Sequence, residues 1–219
     1  MGGQTIALDQ GDVLVIAGQV GSGKTTLVRL LLGLLPKSRG SVYWNNEQVF
    51  DLARHFVPPR CAYVSQTPRL FSGTIGENIV LGGQFSQAEL AQALFISALN
   101  QDYSLEDLNS QIGYKGVGLS GSQIQRFAIA RAVIRKPQLL ICDDLSSALD
   151  AQTEAQVWKR IKNVQNLTQI IVSNRPWSLT HATKMAFLKH GVVESFGTPE
   201  HVLRTCRDAR SLLMENQPA

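Results

Sequence analysis

The feature of this sequence that most restricts its fold is a glycine-rich segment at residues 18–25, which reads GQVGSGKT. It fits the pattern G-x-x-x-x-G-K-[ST] without a mismatch. Average residue usage produces this pattern by chance in roughly one chain in a hundred of this length. An aliphatic run at residues 12–17 predicts a strand before the segment, and residues 24–35 predict a helix after it that stops at Pro36. A strand, a tight turn and a helix in this order form the context that the pattern requires.

Residues 18–25 have the chemistry of a phosphate-binding loop, and we call them the phosphate loop. Glycines let the backbone turn tightly, so that its N–H groups converge on phosphate oxygens, and the positive end of the following helix adds to the attraction. We expect Lys24 to reach the β- and γ-phosphates of a nucleotide and the Thr25 hydroxyl to coordinate Mg²⁺. The residues expected to contact the nucleotide here are Gly18, Gln19, Val20, Gly21, Ser22, Gly23, Lys24, Thr25 and Thr26.

Strands and helices alternate along most of the chain, which predicts an α/β fold with a mainly parallel sheet. Residues 70–136 are rich in predicted helix and interrupt this alternation, so they are the candidate inserted helical subdomain. One domain is therefore predicted over residues 1–219, with a core formed by residues 1–69 and 137–219. Further strands are predicted at residues 61–65, 139–143, 168–173, 184–188 and 192–196, and a further helix near residues 153–162.

Local signals mark several turns and helix starts. A small antiparallel hairpin is predicted at residues 40–50, with two asparagines, Asn45 and Asn46, at its turn. Two or three helices are expected within residues 73–108, the clearest at residues 86–98, where Ser86 can cap the helix with Glu89 three residues on. Ser120 is expected to cap a further helix that runs to about residue 135.

Composition narrows the setting in which the protein works. A chain of 219 residues can bury a core without disulfides, and three cysteines without metal-ligand spacing indicate a reducing, cytoplasmic compartment. The net charge of +4 is scattered rather than clustered, which favours a solvated surface. The longest apolar run, residues 27–35, is too short to cross a bilayer. If the protein works at a membrane, we expect another domain or chain to hold it there.

Five later segments carry polar residues in a fixed order, and together they resemble the ATP-binding cassette (ABC) ATPases. YVSQTPRLFSGTIGENI at residues 63–79 is similar to the Q-loop, and LSGSQIQR at residues 119–126, the signature segment, is similar to the motif LSGGQ. LLICDD at residues 139–144 is similar to Walker B, SALD at residues 147–150 to the D-loop, and IIVSNR at residues 170–175 to the switch segment. The resemblance covers nearly the whole chain and implies a P-loop NTPase core that uses ATP and Mg²⁺.

The resemblance also implies a head-to-tail dimer, in which ATP lies between the phosphate loop of one chain and the signature segment of the other. Gln66 would touch Mg²⁺ or the attacking water, and Asp143 would make a direct or water-mediated Mg²⁺ contact. Asp150 would cross the dimer interface. The expected metal ligands are thus Thr25, Gln66 and Asp143, and the partner's nucleotide would face Ser120, Gly121, Ser122 and Gln123.

Three substitutions in the motifs predict slow hydrolysis. Asp144 stands where the family has glutamate as the general base, and its carboxylate sits about 1.5 Å short of that position. Asn174 stands in place of the switch histidine and can carry neither a proton nor a positive charge. Ser122 adds a side chain where glycine is expected. The candidate catalytic residues are Asp144, Asn174 and Gln66, in a pattern that resembles the degenerate half of a heterodimeric exporter.

Two further departures concern the edges of the motifs. No aromatic residue precedes Gly18, so either the chain is a fragment of a longer product or adenine is held without the usual stacking. Residues 112–116 lack the glutamates that exporters usually carry before the signature segment, which puts coupling to the membrane part in doubt.

We expect an ATP-binding and slowly hydrolysing subunit of an ABC exporter, because residues 70–79 most resemble exporter-type cassettes. Its expected partners are a second nucleotide-binding domain and a transmembrane domain, on a separate chain or on a missing N-terminal segment, so it would lie peripherally on the cytoplasmic face of a membrane. The alternative is a soluble ATP-binding regulatory module with negligible hydrolysis. A nucleic-acid partner is not expected, since neither a coiled coil nor a zinc insertion separates the phosphate loop from the signature segment.

Overall fold

A six-stranded sheet forms the centre of the protein in a computed structural model that describes residues 5–113, 118–145 and 148–215. The sheet has the strand order β10-β9-β1-β8-β7-β4. All neighbouring strands are parallel except β10, which runs antiparallel to β9. The strands are β1 (Val13–Gly18), β2 (Val42–Trp44), β3 (Glu47–Val49), β4 (Cys61–Val64), β5 (Gly73–Thr74), β6 (Gln111–Ile112), β7 (Leu139–Asp143), β8 (Thr168–Val172), β9 (Lys184–Lys189) and β10 (Val192–Gly197).

Two small antiparallel pairs lie outside the main sheet: β2 with β3, and β5 with β6. Asn45 and Asn46 connect β2 to β3 with positive φ angles of 50° and 66°, as a tight hairpin turn requires. The predicted hairpin and the predicted α/β class with a mainly parallel sheet are both confirmed.

Helices cover both faces of the sheet, and those at Lys24–Leu31, Gln87–Ile96 and Gly121–Val133 begin where the sequence predicts. The helix at Leu52–His55 and the three near the C-terminus, Pro176–His181, Pro199–Thr205 and Arg207–Glu215, were not predicted. The helices are α1 (Lys24–Leu31), α2 (Leu52–His55), α3 (Ile75–Val80), α4 (Gln87–Ile96), α5 (Gly121–Val133), α6 (Ala151–Lys162), α7 (Pro176–His181), α8 (Pro199–Thr205) and α9 (Arg207–Glu215).

Helix α1 ends four residues earlier than predicted, because Gly33 stops it before Pro36 is reached. Gly33 has a φ of 68°, its N–H donates to Leu30, and the N–H of Leu34 donates to Arg29. This pair of bonds is the Schellman arrangement that ends a helix with a left-handed glycine. A side chain at Gly33 would also lie 2.4 Å from the backbone nitrogen of Ala53.

The two capping serines act as the sequence predicts. The Ser86 and Ser120 hydroxyl oxygens each accept a hydrogen bond from the backbone N–H three positions on. The side-chain oxygens of Glu89 and Gln123 in turn accept a hydrogen bond from the serine N–H. Both are capping boxes. Helix α4 nevertheless ends at Ile96, two residues before the predicted end.

Residues of β1 alternate between the two faces of the sheet, as in any extended strand. Leu14 and Ile16 belong to a buried cluster with Val28 of α1, while Val15 belongs to the cluster on the other face with Phe127 of α5. That second cluster also contains buried residues of α3 and α4, so the helical region and the sheet share one core. The subdomain boundaries at about residues 70 and 136 stay a prediction.

The parallel strands β1, β7 and β8 place their carboxyl ends at one edge of the sheet. Loops at this edge are where α/β proteins bind ligands. The phosphate loop follows β1, Asp143 ends β7, and Asn174 lies two residues after β8. Among the helices in the described part of the chain, none has the length and apolar character needed to cross a membrane.

Candidate functional site

The phosphate loop forms a tight turn between β1 and α1. Gly23 occupies the N-cap of α1 with a φ of 101°, a conformation that glycine adopts without strain. The loop is closed internally by a bond from the N–H of Ser22 to Gln19, 3.1 Å long. It is held from outside by the N–H of Gly191, which donates to the Ser22 carbonyl at 2.9 Å. The predicted strand, turn and helix are therefore all present.

Gly18 lies buried at the start of the loop and has no room for a side chain. A Cβ there would lie 2.3 Å from the carbonyl oxygen of Leu188 and 2.7 Å from the Ser22 hydroxyl oxygen. Gln19 and Val20 at the top of the loop are exposed, as is Thr26 on α1. The loop thus offers an open surface above a closely packed base.

Lys24 folds back over the loop. Its Nζ donates to the carbonyl oxygens of Gly18 at 2.6 Å and Gln19 at 2.9 Å. Burial lowers the pKa of Lys24, and the nearby carboxylates of Asp144 and Asp143 act in the opposite direction. The two hydrogen bonds hold the ammonium group at the place where phosphate oxygens are expected.

Asp143 and Thr25 meet at the carboxyl end of β7. The Thr25 hydroxyl donates to Oδ1 of Asp143 at 3.0 Å, and the Tyr63 hydroxyl donates to Oδ2 at 3.1 Å. Asp143 is only 1% exposed, so these bonds replace water around its carboxylate. Burial and the Asp143 carboxylate raise the pKa of Tyr63 to about 12, so its phenol keeps the proton that it donates.

The donor set of the site fits the cofactors that the sequence predicts. Mg²⁺ prefers hard oxygen ligands and few protein carboxylates, and the Thr25 hydroxyl next to the Asp143 carboxylate offers this combination. The buried Ser22 hydroxyl oxygen in the loop has no hydrogen-bond partner among the described residues. Together with the Lys24 ammonium group, these atoms suit a magnesium nucleotide.

Gln66 and Asp144 lie side by side. The Gln66 Nε2 donates to Oδ2 of Asp144 at 3.1 Å, although 78 positions separate them in the sequence. Asp144 has a positive φ of 51°, and its N–H donates to the Val172 carbonyl. This backbone conformation turns the residue after β7 out of the strand and towards the Q-loop segment.

Asn174 contacts the base of the phosphate loop. Its Oδ1 accepts a hydrogen bond from the Gly18 N–H at 3.0 Å, and its Nδ2 donates to the Gly18 carbonyl at 2.9 Å. Both polar groups of the amide are thus engaged by one residue.

The signature segment lies on the helical side of the molecule. Ser120 and Gln123 form the capping box of α5, and Gln123 also donates to Asp102 at 3.2 Å. Arg126 forms an ion pair with the same Asp102. Ser120 and Gly121 are exposed, and Ser122 is half-buried. Within the part of the chain that the structure describes, residues 120–123 form no hydrogen bond with the phosphate loop.

Asp150 is the N-cap of α6, where its Oδ1 accepts the Thr153 N–H at 2.9 Å. Helix α6 therefore begins at Ala151, two residues before its predicted start. This bond also holds the pKa of Asp150 below its usual value. The expectation for residues 112–116 falls largely outside the described residues, as does Ser147 of the D-loop segment.

Sequence reasoning missed three residues that support the site: Tyr63, Asp102 and Gly191. Tyr63 lies on β4, three positions before Gln66. Because neighbouring side chains on a strand point to opposite faces, Tyr63 and Val64 point to different faces of the sheet, and this could have suggested that Tyr63 faces Asp143 on β7. Asp102 and Gly191 give no local signal, because each acts through a contact between segments that are distant in the sequence.

Comparisons with known proteins find similar sequences and a similar fold. The family model described as ABC transporter matches residues 2–147. A probable multidrug resistance ABC transporter ATP-binding/permease protein of Bacillus subtilis is 36% identical over 198 residues, which are 89% of this chain and 34% of that protein. An ATP-dependent lipid A-core flippase of Cupriavidus pinatubonensis is 33% identical over 209 residues, 92% of this chain and 35% of its own length.

A solved structure of a bacterial Atm1-family ABC exporter with ATP bound superposes with a TM-score of 0.86 at 26% identity. The match covers 96% of this chain and 38% of the exporter chain. The chain thus spans about a third of the length of the curated relatives that it matches.

Proposed function

Because the chain belongs to the ABC transporter family, we propose that it is the ATP-binding and slowly hydrolysing subunit that drives or gates an ABC exporter. The observation that carries the proposal is the joint geometry of the phosphate loop, Lys24 and the pair Thr25–Asp143. The exporter assignment is supported by the names of the relatives and of the structural match.

In this proposal ATP binds along the phosphate loop, with the Lys24 Nζ released from the carbonyls of Gly18 and Gln19 to meet the phosphates. Mg²⁺ would be held by Thr25, Asp143 and Gln66, where it would neutralise phosphate charge. A cation here would bind the Asp143 carboxylate, which accepts hydrogen bonds from the Thr25 and Tyr63 hydroxyls in this structure.

The proposed general base is Asp144, with Gln66 as its neighbour. The bond between them, 3.1 Å long, brings together the residue that would orient the attacking water and the residue that would accept its proton. A carboxylate one methylene short of the usual glutamate accounts for slow turnover. Asn174, which cannot add positive charge at the γ-phosphate, contributes in the same direction.

The proposed dimer completes the site. Residues 120–123 have no hydrogen bond to the phosphate loop of their own chain among the described residues, and the exposed start of α5 leaves helix N–H groups available to an anion. In a head-to-tail dimer the phosphates of the nucleotide bound to the second domain would be that anion. They would be contacted by Ser120, Gly121, Ser122 and Gln123 of this chain, with Asp150 at the interface.

We propose that the transmembrane part docks in a groove of about 680 Å³ beside the Q-loop segment. Three arginines, Arg69, Arg131 and Arg135, line this groove, and its described lining contains no carboxylate. Phe56, Val57 and Leu81 add apolar surface. A docking segment with acidic and apolar residues suits this lining. The chain would then lie peripherally on the cytoplasmic face of a membrane.

Nucleotide binding tests the first part of the proposal. Isothermal titration of the purified chain with ATP and Mg²⁺ should give saturable binding, and Lys24→Ala should weaken it by roughly 10- to 150-fold, the value of one charge-assisted hydrogen bond. Lys37→Ala is the matched control, since Lys37 is exposed and lies after α1. Equal affinity in wild type and Lys24→Ala would refute the proposed binding site.

Hydrolysis tests the second part. The wild-type chain should turn over well below a typical enzyme rate of about 10 s⁻¹, and Asp144→Glu should raise the rate by about tenfold or more. Phosphate release is the assay. Wild-type turnover near 10 s⁻¹ would contradict slow hydrolysis, while ATP binding without hydrolysis in either protein would favour the regulatory alternative.

A further inference from the structure

The side chain of Asn174 contacts the carboxyl end of β1 at Gly18. Strands β1 and β8 pair in parallel with Val13 opposite Gln169 and Ile16 opposite Val172. The same register, continued by two residues, places Gly18 opposite Asn174. The last backbone bond between these segments runs from the N–H of Ser173 to Ile16, 3.1 Å long.

Beyond that bond, the side chain of Asn174 takes over the pairing. Its amide carries the same donor and acceptor as a peptide group, and it accepts from the Gly18 N–H and donates to the Gly18 carbonyl. The reversed amide would set NH₂ against the Gly18 N–H and oxygen against oxygen, so the two bonds determine its orientation. The ladder is thus extended by one pair, to the first residue of the phosphate loop.

Gly18 cannot be held from its own side chain, because it has none and no room for one. Its carbonyl accepts both the Asn174 Nδ2 and the Lys24 Nζ, at 2.9 Å and 2.6 Å. These two donors use both lone pairs of the oxygen. Asn174 therefore acts on the same backbone group that receives Lys24.

We infer that Asn174 is a positioning residue that holds the phosphate loop in its binding conformation, and that it does not sense the γ-phosphate. The inference rests on the proposed ATP site. A residue that shapes the loop supports the binding of ATP and ADP alike, since both place their β-phosphate in it. A residue that touches the γ-phosphate supports ATP alone.

Histidine cannot replace asparagine in this role. Its two ring nitrogens point away from each other across the ring, whereas the oxygen and nitrogen of an amide point the same way. A histidine at residue 174 can therefore form only one of the two bonds to Gly18. This separates the present chain from cassettes with a histidine in the switch segment.

The test compares the dissociation constants of Mg·ATP and Mg·ADP for wild type, Asn174→Ala and Asn174→His. Asn174→Ala loses both bonds to Gly18, so it should weaken the binding of ATP and of ADP by the same factor, about tenfold. Asn174→His keeps one of the two bonds, so it should weaken the binding of ADP by a smaller factor, about threefold. Asn163→Ala, at the exposed end of α6, is the matched control and should bind both nucleotides like the wild type.

A loss of ATP affinity with unchanged ADP affinity in Asn174→Ala would overturn the inference, as would unchanged affinity for both. Amide hydrogen exchange without nucleotide gives an independent readout: residues 18–25 should exchange faster in both Asn174 variants, while β7 stays protected. Equal exchange of the loop in all proteins would also overturn it. Failure of the wild type to bind either nucleotide would instead refute the proposed function.

Discussion

Removing the Tyr63 hydroxyl should destabilise the protein, because that hydroxyl satisfies a buried carboxylate. In Tyr63→Phe, Oδ2 of Asp143 loses a donor at 3.1 Å, and Asp143 is 1% exposed, so water has little access to replace it. A hydrogen bond to a charged group contributes about 1.5–3 kcal/mol. Since Tyr63 is itself half-buried, we expect the lower part of that range, about 1.5–2 kcal/mol.

The assay is urea unfolding followed by tryptophan fluorescence, with EDTA present so that no metal compensates for the lost bond. For a chain of this size the expected loss corresponds to a melting temperature lower by roughly 3–8 °C. Tyr43→Phe is the control, because Tyr43 is 61% exposed, and it should change stability by less than about 0.5 kcal/mol. A Tyr63→Phe protein as stable as the Tyr43→Phe protein would refute the reasoning.

The pH dependence follows from the raised pKa of Tyr63, which burial and Asp143 bring to about 12 from 10.0. A pKa that is higher in the folded than in the unfolded state stabilises the fold fully below the unfolded value, and the contribution disappears as the pH rises through the folded value. The difference between wild type and Tyr63→Phe should therefore be constant from about pH 6 to about pH 9 and shrink between about pH 10 and about pH 12.

Two further perturbations test the loop and the helical region. Gly18→Ala should lower the free energy of unfolding in urea by roughly 2–4 kcal/mol, because the added Cβ would lie 2.3 Å from the Leu188 carbonyl oxygen. Gly40→Ala, where no atom lies within 4 Å of the added Cβ, should lose only about 1 kcal/mol, and equal losses would contradict the steric argument. The hydrogen bond from Lys136 lowers the pKa of Glu89 from 4.5 to about 2, so its contribution is present above pH 4.5 and is lost as the pH falls towards 2. Acid unfolding should show wild type more stable than Glu89→Gln above pH 4.5, with the difference vanishing near pH 2; a constant difference would count against the ion pair.

Features with a local cause could be predicted well. The capping boxes of Ser86 and Ser120 depend on residues three positions apart, and the turn at Asn45 and Asn46 depends on two neighbours. Helix ends were predicted less well, since Pro36 marked the end of α1 and the left-handed Gly33 ends it earlier. Helices α7 and α8, with six and seven residues, were missed because helices this short gain their stability from packing rather than from their own periodicity.

The sequence by itself determined the phosphate loop, the order of the motifs and the family. The phosphate loop is recognised from a strand, a glycine turn and a lysine that are close together in the sequence, so their spacing is visible without the structure. Only the tertiary structure decided that Tyr63 meets Asp143, 80 positions away, and that Asn174 meets Gly18, 156 positions away. Those contacts depend on the strand order and on the parallel register of β1 with β8. Register is set by packing across the whole sheet, which no short stretch of sequence encodes.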